Sequence, residues 1–326
     1  MLIRSASLDD AQAIVDLHLA DNPYKGWFRN PIRGESPCRY EDLTAFQRML
    51  HGGDWMDVSL CRRHIHEYIS RGHPILAAEE GGKVVGECEL WVADEGPPFG
   101  KYAAIEMLMT AHDRKQKDVE TALVEKAEER CGRLGLKNLD VSPKHGGDSL
   151  DWESLGFKEI RDTRTCEVEL RLLEDPDFDF TIKPEAETYD SVRAMTAWNH
   201  REPVQLHFEF GSGVWPPAKM AGFDRHEKRL FVRVGVESAG LEYMMRASRP
   251  DWEAEECTAL DIWSDQAAIK KKKLSQVLMM SAATAADRLG EGLLRVYAPK
   301  QVLPALRELG FVGGEERDPW LRKELG

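Results

Sequence analysis

Ala103-Ala104-Ile105-Glu106-Met107-Leu108-Met109 is an apolar run of strand length broken by one carboxylate. Ten residues on, a longer periodic stretch begins: Val119-Glu120-Thr121-Ala122-Leu123-Val124-Glu125-Lys126-Ala127-Glu128-Glu129-Arg130-Cys131-Gly132-Arg133-Leu134-Gly135. Val119, Ala122, Leu123, Ala127, Cys131 and Leu134 recur at helical spacing and make one apolar face. Glu125, Glu128, Glu129 and Arg133 make the other, with Glu129 four residues ahead of Arg133. Gly135 predicts the helix stop, since a left-handed cap needs a residue without Cβ. Leu139-Asp140-Val141 then reads as a short strand.

Working outward, Ile75-Leu76-Ala77-Ala78 and Val84 to Val92 flank Gly81-Gly82 and predict a hairpin. A strand at Leu2–Ala6 and the capping residues of Ser7-Leu8-Asp9-Asp10 precede a helix that buries Ala11, Ile14, Val15 and Leu19. His18 lies at the edge of that stripe and reads as a boundary residue, not a ligand. Residues 22–56 form an aromatic-rich insertion with Tyr24, Trp27, Phe28, Tyr40 and Trp55, either a lid over a substrate or a core between two domains. Residues 57–71 resume a helical period. Downstream, Asp148 is expected to cap a brief helix ending at Leu155-Gly156-Phe157, followed by a strand through Cys166–Leu170.

The pattern then repeats. Phe180–Lys183 matches the opening strand, Asp190 to Ala197 the first helix, and 229–237 with 241–247 the hairpin. At an offset of 155 positions Ala259-Leu260-Asp261-Ile262-Trp263 matches 104–108, which sets Asp261 against Glu106 and Lys270 against Lys115. Arg288-Leu289-Gly290 falls against Arg133-Leu134-Gly135, and Leu309-Gly310-Phe311 repeats Leu155-Gly156-Phe157 at an offset of 154. A nearly constant offset with elements in the same order indicates an internal duplication. The expected domains are 1–175, carrying the insertion, and 176–326, joined through the acidic Leu173-Glu174-Asp175-Pro176-Asp177.

This order of elements, with Ala122–Arg130, Arg133–Leu139 and the Leu-Gly-Phe that closes each unit, resembles the GCN5-related N-acetyltransferase (GNAT) superfamily. The resemblance implies two tandem acyl-CoA N-acyltransferase-like α/β domains with mixed sheets. It implies acetyl-CoA or another acyl-CoA as co-substrate, no metal, and direct transfer to an amine of a small molecule in a ternary complex. In the family the strand before the long helix splays from its neighbour and its backbone holds the pantetheine arm. Here that strand backbone is Leu108, Met109 and Thr110. The helix N-terminus then receives the pyrophosphate.

The resemblance places Lys115, Lys117 and Val119 at the first phosphate turn, and Lys270 and Lys272 at the second. Both turns depart from the family's glycine pattern: Asp118 and Glu120 stand in one, four consecutive lysines in the other. Glu106 or Asp261 would be the general base, with Glu87 and Glu89 as fallbacks. Trp152 and Leu306 occupy the place of the family's tyrosine acid. The same departures support a rival expectation, a catalytically inactive ligand-binding or protein-interaction module.

Composition narrows the partners. A net charge of −13 disfavours nucleic acid and anionic membranes and is compatible with a cationic substrate. No apolar run reaches the ~18–20 residues of a membrane span, and the start shows no signal core, so a cytoplasmic monomer or homodimer is expected. Six scattered cysteines without a Cys-x-x-Cys pair argue for free thiols. His64, His66 and His73 do not share the spacing of a metal site.

Overall fold

The computed structural model describes residues 1–95, 99–112, 115–173, 178–184, 196–198, 215–253, 257–264, 266–287, 290 and 292–326. The strands are β1 (Leu2–Ser5), β2 (Phe28–Asn30), β3 (Glu35–Pro37), β4 (Ile75–Glu80), β5 (Lys83–Glu95), β6 (Gly100–Thr110), β7 (Asn138–Val141) and β8 (Lys158–Glu169). They continue as β9 (Thr181–Pro184), β10 (Thr196–Ala197), β11 (Glu227–Val236), β12 (Leu241–Pro250), β13 (Cys257–Ser264), β14 (Leu293–Pro299) and β15 (Val312–Glu324). The helices are α1 (Ala11–Ala20), α2 (Ala45–Met49), α3 (Val58–Ser70), α4 (Gln116–Arg133), α5 (Pro216–Ala221), α6 (Gln266–Lys270), α7 (Lys272–Asp287) and α8 (Leu303–Glu308).

Local chemistry explains most ends. Ser7 and Asp10 form a capping box ahead of α1, and Asp57 Oδ1 accepts from the Ser59 and Leu60 amides to start α3. The β4–β5 turn is Gly81-Gly82 with φ of 59° and 77°, the conformation a two-residue hairpin needs. Helix α4 stops at Gly135, φ 71°, and the Leu136 amide reaches back to the Cys131 carbonyl.

One sheet runs through the molecule in the order β1-β4-β5-β6-β7-β15-β8-β14-β13-β12-β11-β9, with β10 beside β13. The duplication is visible in its register: β6 pairs in parallel with β7 as far as Ile105↔Val141, and β13 with β14 as far as Leu260↔Val296. Glu106 and Asp261 are each the next residue. The last strands are exchanged. β15, from the C-terminal half, lies between β7 and β8, while β8, from the N-terminal half, pairs with β14. Each half thus completes its sheet with a strand from the other.

Two cores lie on opposite faces of the N-terminal strands. Leu76, Cys88, Leu90, Ile105 and Leu108 pack with Val119, Leu123 and Ala127 of α4. Ala77, Trp91, Tyr102 and Ala104 face Ile14 and Val15 of α1 and Ile65 and Tyr68 of α3. Trp215 and Ala218, from the C-terminal half, enter this second core. A third core, with Val232, Tyr243, Leu260, Leu278 and Leu294, fills the C-terminal half.

Two expectations need correction. The brief helix after Asp148 is a run of turns, because Gly146 and Gly147 take φ of 118° and 77° and draw the chain onto β6. Asp190–Ala197 was expected as a helix; residues 190–195 lie outside the described residues, while Thr196–Ala197 is strand. The junction residues 174–177 and Arg288-Leu289 also lie outside them. Five cysteines are buried free thiols, and Cys38 is half-buried. Among the described residues no helix is long and apolar enough to cross a membrane.

Candidate functional site

A cavity of about 320 Å³ opens between the two halves. Asp54, Trp55, His64, Tyr68, Glu89 and Glu106 form its N-terminal wall, and Trp215, Arg229, Arg246 and Trp252 its C-terminal wall. The aromatic insertion meets both the cavity and the C-terminal half. Trp55 lines the cavity, while Asn30 and Arg33 bind the backbone of Trp252, Glu253 and Asp251 at 3.1, 2.8 and 2.8 Å.

Three elements meet at His64. Helix α3 carries the imidazole, the turn Gly53–Met56 carries Asp54, and β5 carries Glu89. His64 Nδ1 lies 2.8 Å from Asp54 Oδ2 and Nε2 lies 2.9 Å from Glu89 Oε2, so both ring nitrogens donate to carboxylates. Burial alone would lower the His64 pKa. The charges and hydrogen bonds of Glu89 and Asp54 outweigh it and push it up to about 10, so the ring is an imidazolium at neutral pH. Two indoles complete the group: Trp55 Nε1 donates to Glu89 Oε1 at 2.9 Å and Trp215 Nε1 to Asp54 Oδ2 at 2.5 Å. Asp54 Oδ1 is buried and accepts no hydrogen bond from the described residues. Gly53, φ 86°, allows the Trp55 ring to close over the turn, since a Cβ there would stand 2.8 Å from it.

Beneath this layer Glu87 is fully buried and bonded to His18 at 2.5 Å, and the His18 ring stacks on Trp55 at 5.2 Å. Burial raises the Glu87 pKa, with His18 pulling the other way. His18 is thus an internal partner. His73 stacks on Trp91 at 3.6 Å and its Nδ1 accepts from the Val92 amide. No group of three or more His, Cys, Asp or Glu able to hold a metal occurs among the described residues.

Glu106 lies on β6 opposite a register shift, where Glu89↔Met107 is followed by Leu90↔Ile105, and this bulge aims it at the cavity. Asp261, its equivalent, is buried against Arg246, with Nε and Nη2 at 2.9 and 2.8 Å from Oδ2. The duplication keeps the two acids equivalent in position, but only Glu106 lines the cavity.

The strand gaps meet different fates. Beyond Ile105, β6 has no partner in β7, yet Leu108 forms a parallel bridge with Gly146, where a Cβ would lie 1.9 Å from the Leu108 carbonyl oxygen. Met109 pairs with Glu87 of β5. Thr110 donates to Glu120, whose buried carboxylate also accepts from Ser149 and from Gln116 at 3.0 Å. Lys115 pairs with Glu80 at 2.6 Å, Lys117 is exposed, and Val119 is core, its amide bonded to the Lys115 carbonyl. Beyond Leu260, β13 is flanked on one edge by β12 and on the other by β10, through Thr196↔Ser264 and Ala197↔Trp263. Lys270 is exposed, and Lys272 pairs with Glu308.

Residues 40–147 match the acetyltransferase (GNAT) family. The chain has the GNAT fold, twice over. A GCN5-related N-acetyltransferase from Anabaena variabilis superposes with TM-score 0.59 at 10% identity, covering 100% of this chain and 73% of that one. Eis1 from Mycobacterium abscessus gives 0.54 at 12%, covering 100% and 74%, and a GCN5-related N-acetyltransferase from Kribbella flavida gives 0.54 at 12%, covering 99% and 71%. At such identities the likeness is one of fold. No curated protein matches the sequence. The family match covers residues 40–147, a third of the chain, and over the whole length the likeness is one of fold.

The family's co-substrate therefore has to be fitted to these residues. It does not fit the gaps as they stand. In one half the loop around Gly146 and the Glu120 carboxylate lie across the gap, and in the other Thr196–Trp198 does. The residues that do converge, Asp54, His64, Glu89 and Trp215, come from four separate elements. No sequence motif links them. The one hint was the alternation of Glu87 and Glu89 with apolar residues on β5, which put both acids on one face.

Proposed function

We propose that the protein binds a small organic amine, as its ammonium ion, in the cavity between its two halves. The observation that carries this is Asp54, a carboxylate of the cavity lining whose Oδ1 is buried and has no donor among the described residues. Such an oxygen costs about 1–3 kcal/mol, and a ligand N–H removes that cost. His64 does not cancel the local charge, since one imidazolium bridges two carboxylates, while Arg229 and Arg246 on the facing wall are paired with Glu227 and Asp261. Trp55, Tyr68, Trp215 and Trp252 also line the cavity, and aromatic rings attract cations. The net charge of −13 raises the local concentration of cations at longer range.

Calorimetric titration of the full chain with primary amines of graded size tests this. Saturable binding is expected, with Asp54→Asn weaker by about tenfold or more, equivalent to about 1.4 kcal/mol, because a carboxamide carries no charge and presents a donor to a donor. Equal affinity in Asp54→Asn, or no binding across the series, would refute the assignment. A second reading has Glu106 take one proton from the bound ammonium, so that the nitrogen attacks an acyl-CoA thioester; the C–S bond breaks and the nitrogen's second proton goes to the sulfur, which leaves as coenzyme A thiol. Its support is the place of Glu106, at the bulge and one residue past the last β6–β7 pair. Amine-dependent release of free coenzyme A thiol would establish it.

A further inference from the structure

We propose that the chain's own backbone has taken over both strand gaps, so that the protein is a receptor for its amine and not a transferase. The receptor half of this statement rests on the cavity reading above; the closure of the gaps stands on separate residues.

The C-terminal gap is filled as a strand fills it. Thr196 and Ala197 pair with Ser264 and Trp263, and the Trp198 amide donates to the Ile262 carbonyl at 2.8 Å. These are the β13 groups that face the gap once β14 has diverged after Leu260. Trp198 is completely buried in the C-terminal core, and its indole donates to Ser264 Oγ at 2.7 Å. An extended arm with amide groups would need those same backbone partners. To enter, it would have to expel a buried indole.

The N-terminal gap is closed by a different device. Gly146 is bridged to Leu108 so tightly that only glycine fits, and the loop is tied down at its far side where Ser149 donates to Glu120. Glu120 itself lies in the first turns of α4 with 1% exposure, held also by Thr110 from β6. Its negative charge stands at the helix end that would otherwise attract a phosphate. Closure by a β-like segment in one half and by a loop and a carboxylate in the other argues for two independent losses of the same site. Glu106 then remains as a lining residue of the cavity, and Asp261 fixes Arg246.

The test is titration of the full-length protein with acetyl-CoA and with coenzyme A, read by calorimetry and by amide hydrogen exchange. No saturable heat below millimolar concentration is expected, with slow exchange at the Trp198 amide unchanged by either compound. Saturable binding would overturn the proposal. So would faster exchange at Trp198 or across 142–149 on addition of acetyl-CoA, because it would show a plug that yields. The amine titration on the same sample judges the cavity separately: amine binding without coenzyme A binding supports both statements, and coenzyme A binding without amine binding overturns both.

Discussion

Replacing Arg322 with alanine should unfasten the exchanged C-terminal strand. Asp140 on β7 is fully buried and receives Arg322 Nε and Nη2 at 2.7 Å each and Trp320 Nε1 at 2.8 Å, both residues coming from β15. Removing the guanidinium leaves a buried carboxylate with one neutral donor, and stranding one partner of a buried pair costs about 3–5 kcal/mol. An unfolding entropy of about 2.1 cal/mol/K per residue gives about 0.7 kcal/mol/K for 326 residues, so Tm should fall by about 4–7 °C. Because β15 pairs with both β7 and β8, both halves should melt together.

The pH dependence has a defined sign. Burial raises the Asp140 pKa in the folded protein, with Arg322 and Trp320 pulling it down. Without Arg322 it rises further, so the folded variant takes up a proton more readily than the unfolded chain. The deficit should therefore shrink as pH falls and be largest near neutrality. Guanidinium unfolding of both proteins at pH 5 and pH 8 provides the measurement. A loss under 1 kcal/mol at pH 8, or a deficit that grows on acidification, would refute the reasoning.

Further outcomes follow from other sites. His64 titrates at about 10 in the folded protein against an ordinary value of 6.5, so its contribution is complete below about pH 6.5 and lost as pH rises toward 10. Thermal melts across that window should slope downward in the native protein and flatten in His64→Gln; equal slopes would contradict the imidazolium. Trp198→Ala should lose about 3–5 kcal/mol, since a wholly buried indole leaves a cavity, and a change below 1 kcal/mol would mean the ring is not seated in the core. A chain ending at Leu173 lacks β15 and leaves β7 and β8 without it, so it should aggregate or show no cooperative melt. A soluble, cooperatively folding fragment would count against the exchange.

Most of the order of elements, the duplication and the placing of Glu106 opposite Asp261 were legible in the chain, because each rests on spacing; the helix expected after Asp148 was not, since glycines redirect the chain there. Helical period, turn glycines and a constant offset are properties of neighbours in sequence, and local backbone preferences act on neighbours. The departures at Asp118, Glu120 and the lysine run were equally plain. The tertiary structure decided everything that depends on distant residues meeting. It sent β15 across to β7, put Trp198 into the gap beside β13, and gathered Asp54, His64, Glu89 and Trp215 from four elements around one cavity. Burial and long-range pairing assign those partners, and neither leaves a period in the sequence to be read.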